Sequence, residues 1–253
     1  MIGDSAESAS DAYLKRLPMG SGTIQDWDSM EKYWHRLIYN YLRCDPEYFK
    51  FILTEPPMNP PENREKVAEI FFETFGVEGL YIGVQAVLAL YGGVAASTRG
   101  EGGLKESDLT GTVVDSGDGV THVIPIADGY VIGTCIKHIP LAGREITKFI
   151  EHELRERKEP IPDGEHRFAA QKIKEKYSYV AKKNVVAELN KYDEKLQLPD
   201  GSYQQNKLFE LYEGRTAADK KPYQCWVGYE RFMGPEIFFH PEFVSKDWRQ
   251  PLD

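Results

Sequence analysis

Cysteine is scarce in this chain. Cys44, Cys135 and Cys225 are three in 253 residues, far apart and odd in number. They fit neither a closed disulfide framework nor a zinc-ligand spacing, and they suit a reducing compartment. Long apolar runs are also missing. None reaches the ~20 residues of a membrane span, and the first residues lack the basic-then-apolar order of a leader. A soluble, cytoplasmic chain without membrane insertion is expected. Basic residues are outnumbered, 31 Lys and Arg against 40 Asp and Glu, for a net charge of −9. That balance argues against nucleic acid or an anionic membrane as partner. What the chain has in quantity is core material: 41% apolar residues with 28% charged exclude a disordered composition and allow one large or two small domains.

The order of elements follows from periodicity and punctuation. Residues 1–22 are rich in Ser, Gly and Ala and read as a loop or a frayed short helix. Asp26 has the chemistry of an N-cap, and Met30, Tyr33/Trp34, Leu37/Ile38 and Tyr41 set a helix over Trp27–Leu42. Tyr48–Thr54 reads as a buried strand. The rigid Glu55–Pro61 stretch follows, and then a helix over Glu62–Phe75 with Gly76 at its C′ position. Leu80–Ile82 is a short strand, and Val84–Leu90 begins a helix that should end at Gly92-Gly93. This strand–helix alternation is that of an α/β domain. Val94–Leu109 reads as a surface loop and a candidate domain boundary.

Further on, Val131–Ile139 is expected to continue a sheet through Cys135. Helices are expected over Glu145–Lys158 and about Glu165–Lys183. The second should carry Phe168, Ile173, Tyr177 and Val180 inward. Pro199-Asp200-Gly201 marks a turn within Leu196–Tyr203, Lys207–Lys221 reads as polar and partly mobile, and Tyr223–Tyr229 as a strand.

Three places carry candidate chemistry. The first is Thr112-Val113-Val114-Asp115-Ser116-Gly117-Asp118-Gly119-Val120-Thr121-His122. A β-branched run stops at Asp115, two glycines and two carboxylates follow, and a second strand begins. Such a turn can form an anion nest from successive N–H groups, with Asp115 placed to hold Mg²⁺ through its water shell. Its commoner reading on pattern alone is an ordinary hairpin turn, since Asp-Gly is a common turn pair. The second is Gln85, a polar exception in an apolar run. It is either a solvent-facing residue on a helix's first turn or an amide facing a wet cleft and able to orient water. The third is Lys174-Glu175. Such a pair is usually a solvated helix face; alternatively it is a purine site, with the Lys stem over the base and the carboxylate on ribose hydroxyls.

The motifs, taken in order, resemble the actin family. The hairpin at 112–122 is similar to its second phosphate loop. Leu53–Pro60, Asn63-Arg64-Glu65, Phe72–Phe75, Val84–Leu88, Leu141–Arg144 and Ile173–Lys176 match the same family in sequence. Gly129–Pro140 and Val227–Phe243 lean toward its actin-related branch. The family's first Gly-rich phosphate loop, and its later Gly-Gly loop over the adenosine, have no counterpart in these residues, so the chain reads as the middle of a longer protein.

The resemblance implies an α/β, actin-like ATPase (ribonuclease H-like) fold, partial, with an inserted helical subdomain. It divides the chain into a first-domain remainder over 1–100, the start of a second domain over 101–141 and the inserted region over 142–253. ATP and Mg²⁺ are the implied cofactors. Asp115 would lie near the metal through water, and Gly117, Asp118, Gly119 and Val120 would line the phosphates. Gln85 and His122 would order the attacking water, and Gly143, Lys174 and Glu175 would approach ribose and base. The implied role is an ATP-binding subunit of the complex that nucleates branched actin filaments. Its partners would be the complex's other subunits, actin and nucleation-promoting factors. A nucleotide-independent interaction module is the alternative.

Overall fold

A computed structural model describes residues 2–3, 16–20, 22–97, 109–182, 184–193, 196–197, 203–204, 208–217 and 219–245. Most of the expected 1–22 loop, most of the 94–109 connection and the Pro199-Asp200-Gly201 turn lie outside them. The chain forms two compact units, Met1–Pro140 and Leu141–Asp253.

The first unit opens with a small hairpin, β1 (Met19–Gly20) and β2 (Thr23–Ile24). Helix α1 (Trp27–Arg36) starts where expected. The Asp26 carboxylate accepts from the Ser29 amide at 3.1 Å and from its hydroxyl at 2.7 Å, which satisfies an otherwise orphan N–H. The helix continues through looser π-type turns over Leu37–Leu42. Strand β3 (Lys50–Glu55) begins two residues later than expected, because Pro46–Tyr48 forms a tight turn capped by Asp45. Helix α2 (Pro61–Glu69) has Pro at its first position, where the missing N–H costs nothing. It ends through π-type turns at Gly76, whose φ of 62° is open to glycine.

Strand β4 (Gly79–Val84) pairs with β3 in parallel, Thr54 opposite Gly83 and Glu55 opposite Val84. Met30, Trp34, Ile38, Val67, Ile70, Phe71, Phe75 and Val77 form the core under this pair, with the Phe71 ring edge-on to Trp34, Phe51 and Phe75.

Helix α3 (Gln85–Ser97) starts directly at the end of β4 and does not stop at Gly92-Gly93. Each glycine costs about 1 kcal/mol against alanine, but Val94, Ala95 and Ala96 carry the helix past them.

The antiparallel sheet is built on β5 (Gly111–Ser116) and β6 (Thr121–Ala127), followed by β7 (Tyr130–Val131) and β8 (Lys137–Ile139). The expected single strand over 131–139 is thus two strands separated by a tight turn at Gly133–Cys135. Pro125 supplies the reason. Its carbonyl accepts from Ile132 N at 3.0 Å on the β7–β8 side, and the N–H it would have offered on that same side does not exist. The third strand breaks opposite it. Ala86, Ile124 and Ile126 are the buried centre between α3 and this sheet.

In the second unit, α4 (Gly143–Glu156) presents Ile146, Ile150 and Leu154 to α5 (His166–Tyr177) and to a short helix α7 (Glu230–Glu236). Gly234 allows the close approach, since a Cβ there would lie 2.9 Å from Ile150 Cδ1.

Helix α5 is shorter than expected. Tyr179 N turns away to the Arg231 carbonyl at 3.0 Å. Val180 therefore lies beyond the helix end, 54% exposed, and Phe168 is 38% exposed beneath the Lys172 ammonium rather than inward. Helix α6 (Val185–Asp193) and the pair β9 (Leu196–Gln197) and β10 (Tyr203–Gln204) follow.

The stretch expected to be polar and mobile contains a regular strand, β11 (Glu210–Arg215), paired with β12 (Pro222–Val227). Tyr212 on one strand and Tyr223, Cys225 and Val227 on the other turn inward. The polar residues that disguised it are its outward half.

Candidate functional site

In the first unit the candidate site is built on the β5–β6 hairpin. Register places Asp115 opposite His122 and Ser116 opposite Thr121, whose hydroxyls lie 2.8 Å apart. Gly117 N donates to Val120 O at 3.2 Å and closes the turn. Asp118 is exposed at its tip. A Cβ on Gly117 would meet nothing nearer than Val120 O at 4.0 Å, so the glycine leaves open space beside the backbone rather than filling a packed corner. The β1–β2 turn comes up to the same loop: a Cβ on Gly22 would lie 3.7 Å from Val120 Cγ1.

His122 is buried, at 7% exposure. Its ring stands edge-on to His138 at 4.7 Å and 88°. Burial and the neighbouring His138 hold its pKa below the usual imidazole range, against the opposing pull of Asp115. A neutral imidazole keeps one nitrogen lone pair for accepting a proton.

Gln85 occupies the first position of α3, at the end of β4. Its Nε2 donates to Thr54 Oγ1 at 3.4 Å. It lines a cleft of about 320 Å³ together with Thr54, Asn59, Asn63 and Arg64, over an apolar floor that includes Trp34 and Val67. Within this unit, then, Asp115, the glycine loop and His122 share one hairpin, while Gln85 belongs to the neighbouring cleft.

Sequence reasoning left Thr54, Glu55, Asn59 and His138 without a role. An i, i+4 repeat of side-chain amides, Asn59 and Asn63, beginning four residues after a carboxylate, was the available signal. His138 is brought to His122 only by strand register.

In the second unit, Gly143 is the first residue of α4. Its carbonyl accepts from Thr147 Oγ1 and from Lys174 Nζ, each at 3.0 Å. Lys174 therefore ties α5 to the start of α4. Glu175 is exposed, and both its oxygens are engaged, by Gln171 Nε2 at 3.0 Å and Lys172 Nζ at 3.3 Å. The Gln171 bond, more than the lysine, draws its carboxyl below the usual range.

Among the described residues no group of three His, Cys, Asp or Glu side chains is placed to hold a metal, and no helix is long and apolar enough to cross a membrane. A cation at Asp115 would have to keep most of its water shell and take further oxygens from a ligand, which is the habit of Mg²⁺.

The chain belongs to the actin family: the family model described as Actin matches residues 1–251. Within that family it is similar to actin-related protein 3. It is 55% identical over 251 residues to that protein from Acanthamoeba castellanii, 51% to the one from Dictyostelium discoideum and 52% over 252 residues to the one from Caenorhabditis elegans. These matches take in 99% of this chain but 55–56% of each relative, so the chain spans little more than half their length.

Proposed function

We propose that this chain is an ATP-binding, actin-related subunit of the complex that nucleates branched actin filaments, the actin-related protein 2/3 complex. Its partners would be the other subunits, actin and nucleation-promoting factors, in the cytoplasmic cytoskeleton. The matching of nearly the whole chain to relatives named actin-related protein 3 supports the role. The observation that supports nucleotide binding is the open glycine turn at Gly117–Val120, between a half-buried Asp115 and a buried, neutral-leaning His122.

On this reading the fold is an actin-like ATPase fold of the ribonuclease H-like type. Residues 1–100 and 101–141 supply parts of its two domains, and 142–253 an inserted subdomain. The backbone at Gly117, Asp118, Gly119 and Val120 lines the phosphates. Asp115 holds the water shell of Mg²⁺, and the bound cation supplies charge neutralisation at the phosphates. Gln85 Oε1 and a ring nitrogen of His122 accept hydrogen bonds from the water that attacks. Gly143, the Lys174 stem and Glu175 receive ribose and base.

One observation favours a second reading, a nucleotide-independent actin-like interaction module. The Lys174 ammonium and both Glu175 oxygens already have partners, so a nucleoside must displace some of them. Calorimetric titration of the chain with Mg-ATP separates the two. Binding that weakens at least tenfold in Asp115→Ala supports the nucleotide site. Binding unaffected by Asp115→Ala refutes the site assignment, and no binding by the wild-type chain leaves the interaction module.

A further inference from the structure

Strands β3 and β4 are parallel and end side by side, at Glu55 and Val84, where the 320 Å³ cleft opens. The carboxyl ends of parallel strands are where α/β sheets collect ligands. The end of β3 is held with unusual completeness. The Glu55 side chain is only 6% exposed and takes a two-pronged bond from Arg64, Nη2 to Oε1 at 2.6 Å and Nε to Oε2 at 3.1 Å. Asn59 Nδ2 adds a third donor at 3.1 Å, and Asn59 Oδ1 is itself held by Asn63 Nδ2 at 3.1 Å. The result ties the Pro-rich loop, the first turns of α2 and the last residue of β3 into one rigid piece. The neighbouring residue on β3 is Thr54, and its hydroxyl receives Gln85 Nε2 at 3.4 Å. Gln85 Oε1 has no hydrogen-bond partner among the described residues.

We infer that Glu55, with Arg64 and Asn59, is a positioning group for Gln85. The carboxylate fixes the end of β3, β3 presents the Thr54 hydroxyl, and that hydroxyl takes the amide nitrogen and leaves the amide oxygen as the acceptor. An amide orients a water only while it is itself anchored, and Thr54 is the anchor for its nitrogen end. The inference rests on the reading of Gln85 as the group that orders water.

Nitrogen-15 NMR of the side-chain amides of the whole 253-residue chain tests it, with the Gln85 pair identified by its loss in Gln85→Ala. Thr54→Val removes the hydroxyl at constant shape from an exposed position, so it leaves the fold standing, and Arg64→Lys removes the fork. Both should shift and broaden the Gln85 pair, and Thr54→Ser should leave it in place. Single-turnover Mg-ATP hydrolysis should slow about tenfold in Thr54→Val with ATP affinity unchanged, a misplacement effect, and recover in Thr54→Ser. Unmoved Gln85 signals in both Thr54→Val and Arg64→Lys overturn the inference, as does hydrolysis at the wild-type rate in Thr54→Val when Gln85→Ala is slow. A wild-type chain that fails to bind Mg-ATP overturns the nucleotide reading alone, and displaced Gln85 signals in the variants would still support the positioning of Gln85 by Glu55 and Thr54.

Discussion

Each unit holds a carboxylate on a guanidinium, and the two behave oppositely. In the first unit Glu55 has Arg64 to itself among the described residues, takes both prongs of its fork and an amide as well. Burial raises its pKa, but the Arg64 and Asn59 donors outweigh that and hold the carboxyl below its usual range. In the second unit Arg157 serves two carboxylates, Glu159 at 2.7 Å and Glu230 at 2.9 Å, and lies between the Phe209 and Tyr229 rings. Glu230 is fully buried, and burial pushes its carboxyl up despite Arg157 and the Gly228 amide. The lesson is that a buried ion pair is not one kind of object. The number of donors aimed at each carboxylate, set against the water it has lost, decides which protonation state the fold favours.

The sharpest way to break this comparison is to remove the two cations. Arg157→Met strands two carboxylates at once, with Glu230 out of reach of water, and should cost about 3–5 kcal/mol. Arg64→Met strands one, beside a half-exposed rim that water can enter, and should cost only about 1–3 kcal/mol. Urea denaturation of the two variants measures both. Equal losses would mean that sharing a guanidinium carries no penalty.

Neither site was visible beforehand, for reasons of range. The sequence marks what neighbours do to each other: the Asp26 cap, the Gly76 stop and the Asp115–His122 hairpin were legible, and the helix expected from Glu62 starts one residue earlier, at Pro61. Pro125 was legible as a residue but not as the cause of a break in a strand it faces, because the register that opposes them is not local. Strand β11 was hidden because Tyr212 is the one large apolar residue on its buried face, set among Glu210, Glu213 and Arg215. The ion pair between Arg157 and Glu230 joins residues far apart in the second unit, and periodicity is silent on such pairs. The candidate site divides the same way. The hairpin geometry follows from the residues themselves, whereas for Gln85, Lys174 and Glu175 the choice of a functional role over a solvated face came only through resemblance.

A smaller effect carries the sign of the comparison. Glu55, whose folded pKa is lowered from 4.5, gives stability that is present above that value and lost as pH falls through the folded pKa. Glu55→Gln should therefore flatten the acid limb of a stability–pH curve below about 4.5. Glu230, whose folded pKa is raised from 4.5, binds its proton more tightly in the folded state, so its contribution is lost as pH rises from that value through the folded pKa. Glu230→Gln should remove that decline. Thermal midpoints across pH 3–8 read both slopes, and slopes of the same sign in the two variants would sink the argument.

The smallest expected effect tests whether a cation needs a carboxylate at all. Lys174 Nζ donates to the neutral carbonyl of Gly143, which also accepts from Thr147 Oγ1. Removing the lysine leaves that carbonyl with a partner and no stranded charge, so Lys174→Met should cost only about 1 kcal/mol. The remaining donor is what keeps the loss small. Thr147→Val alone should be mild for the same reason, and the double variant should lose more than the two single losses combined, because only then does the half-buried Gly143 carbonyl lose both side-chain donors and rely on the helix N–H of Thr147 alone. Urea midpoints of the two single variants and the double complete the cycle. Strict additivity would mean that the two donors never shared the carbonyl, and that α4 and α5 are held together by Ile150, Leu154 and Ile173 alone.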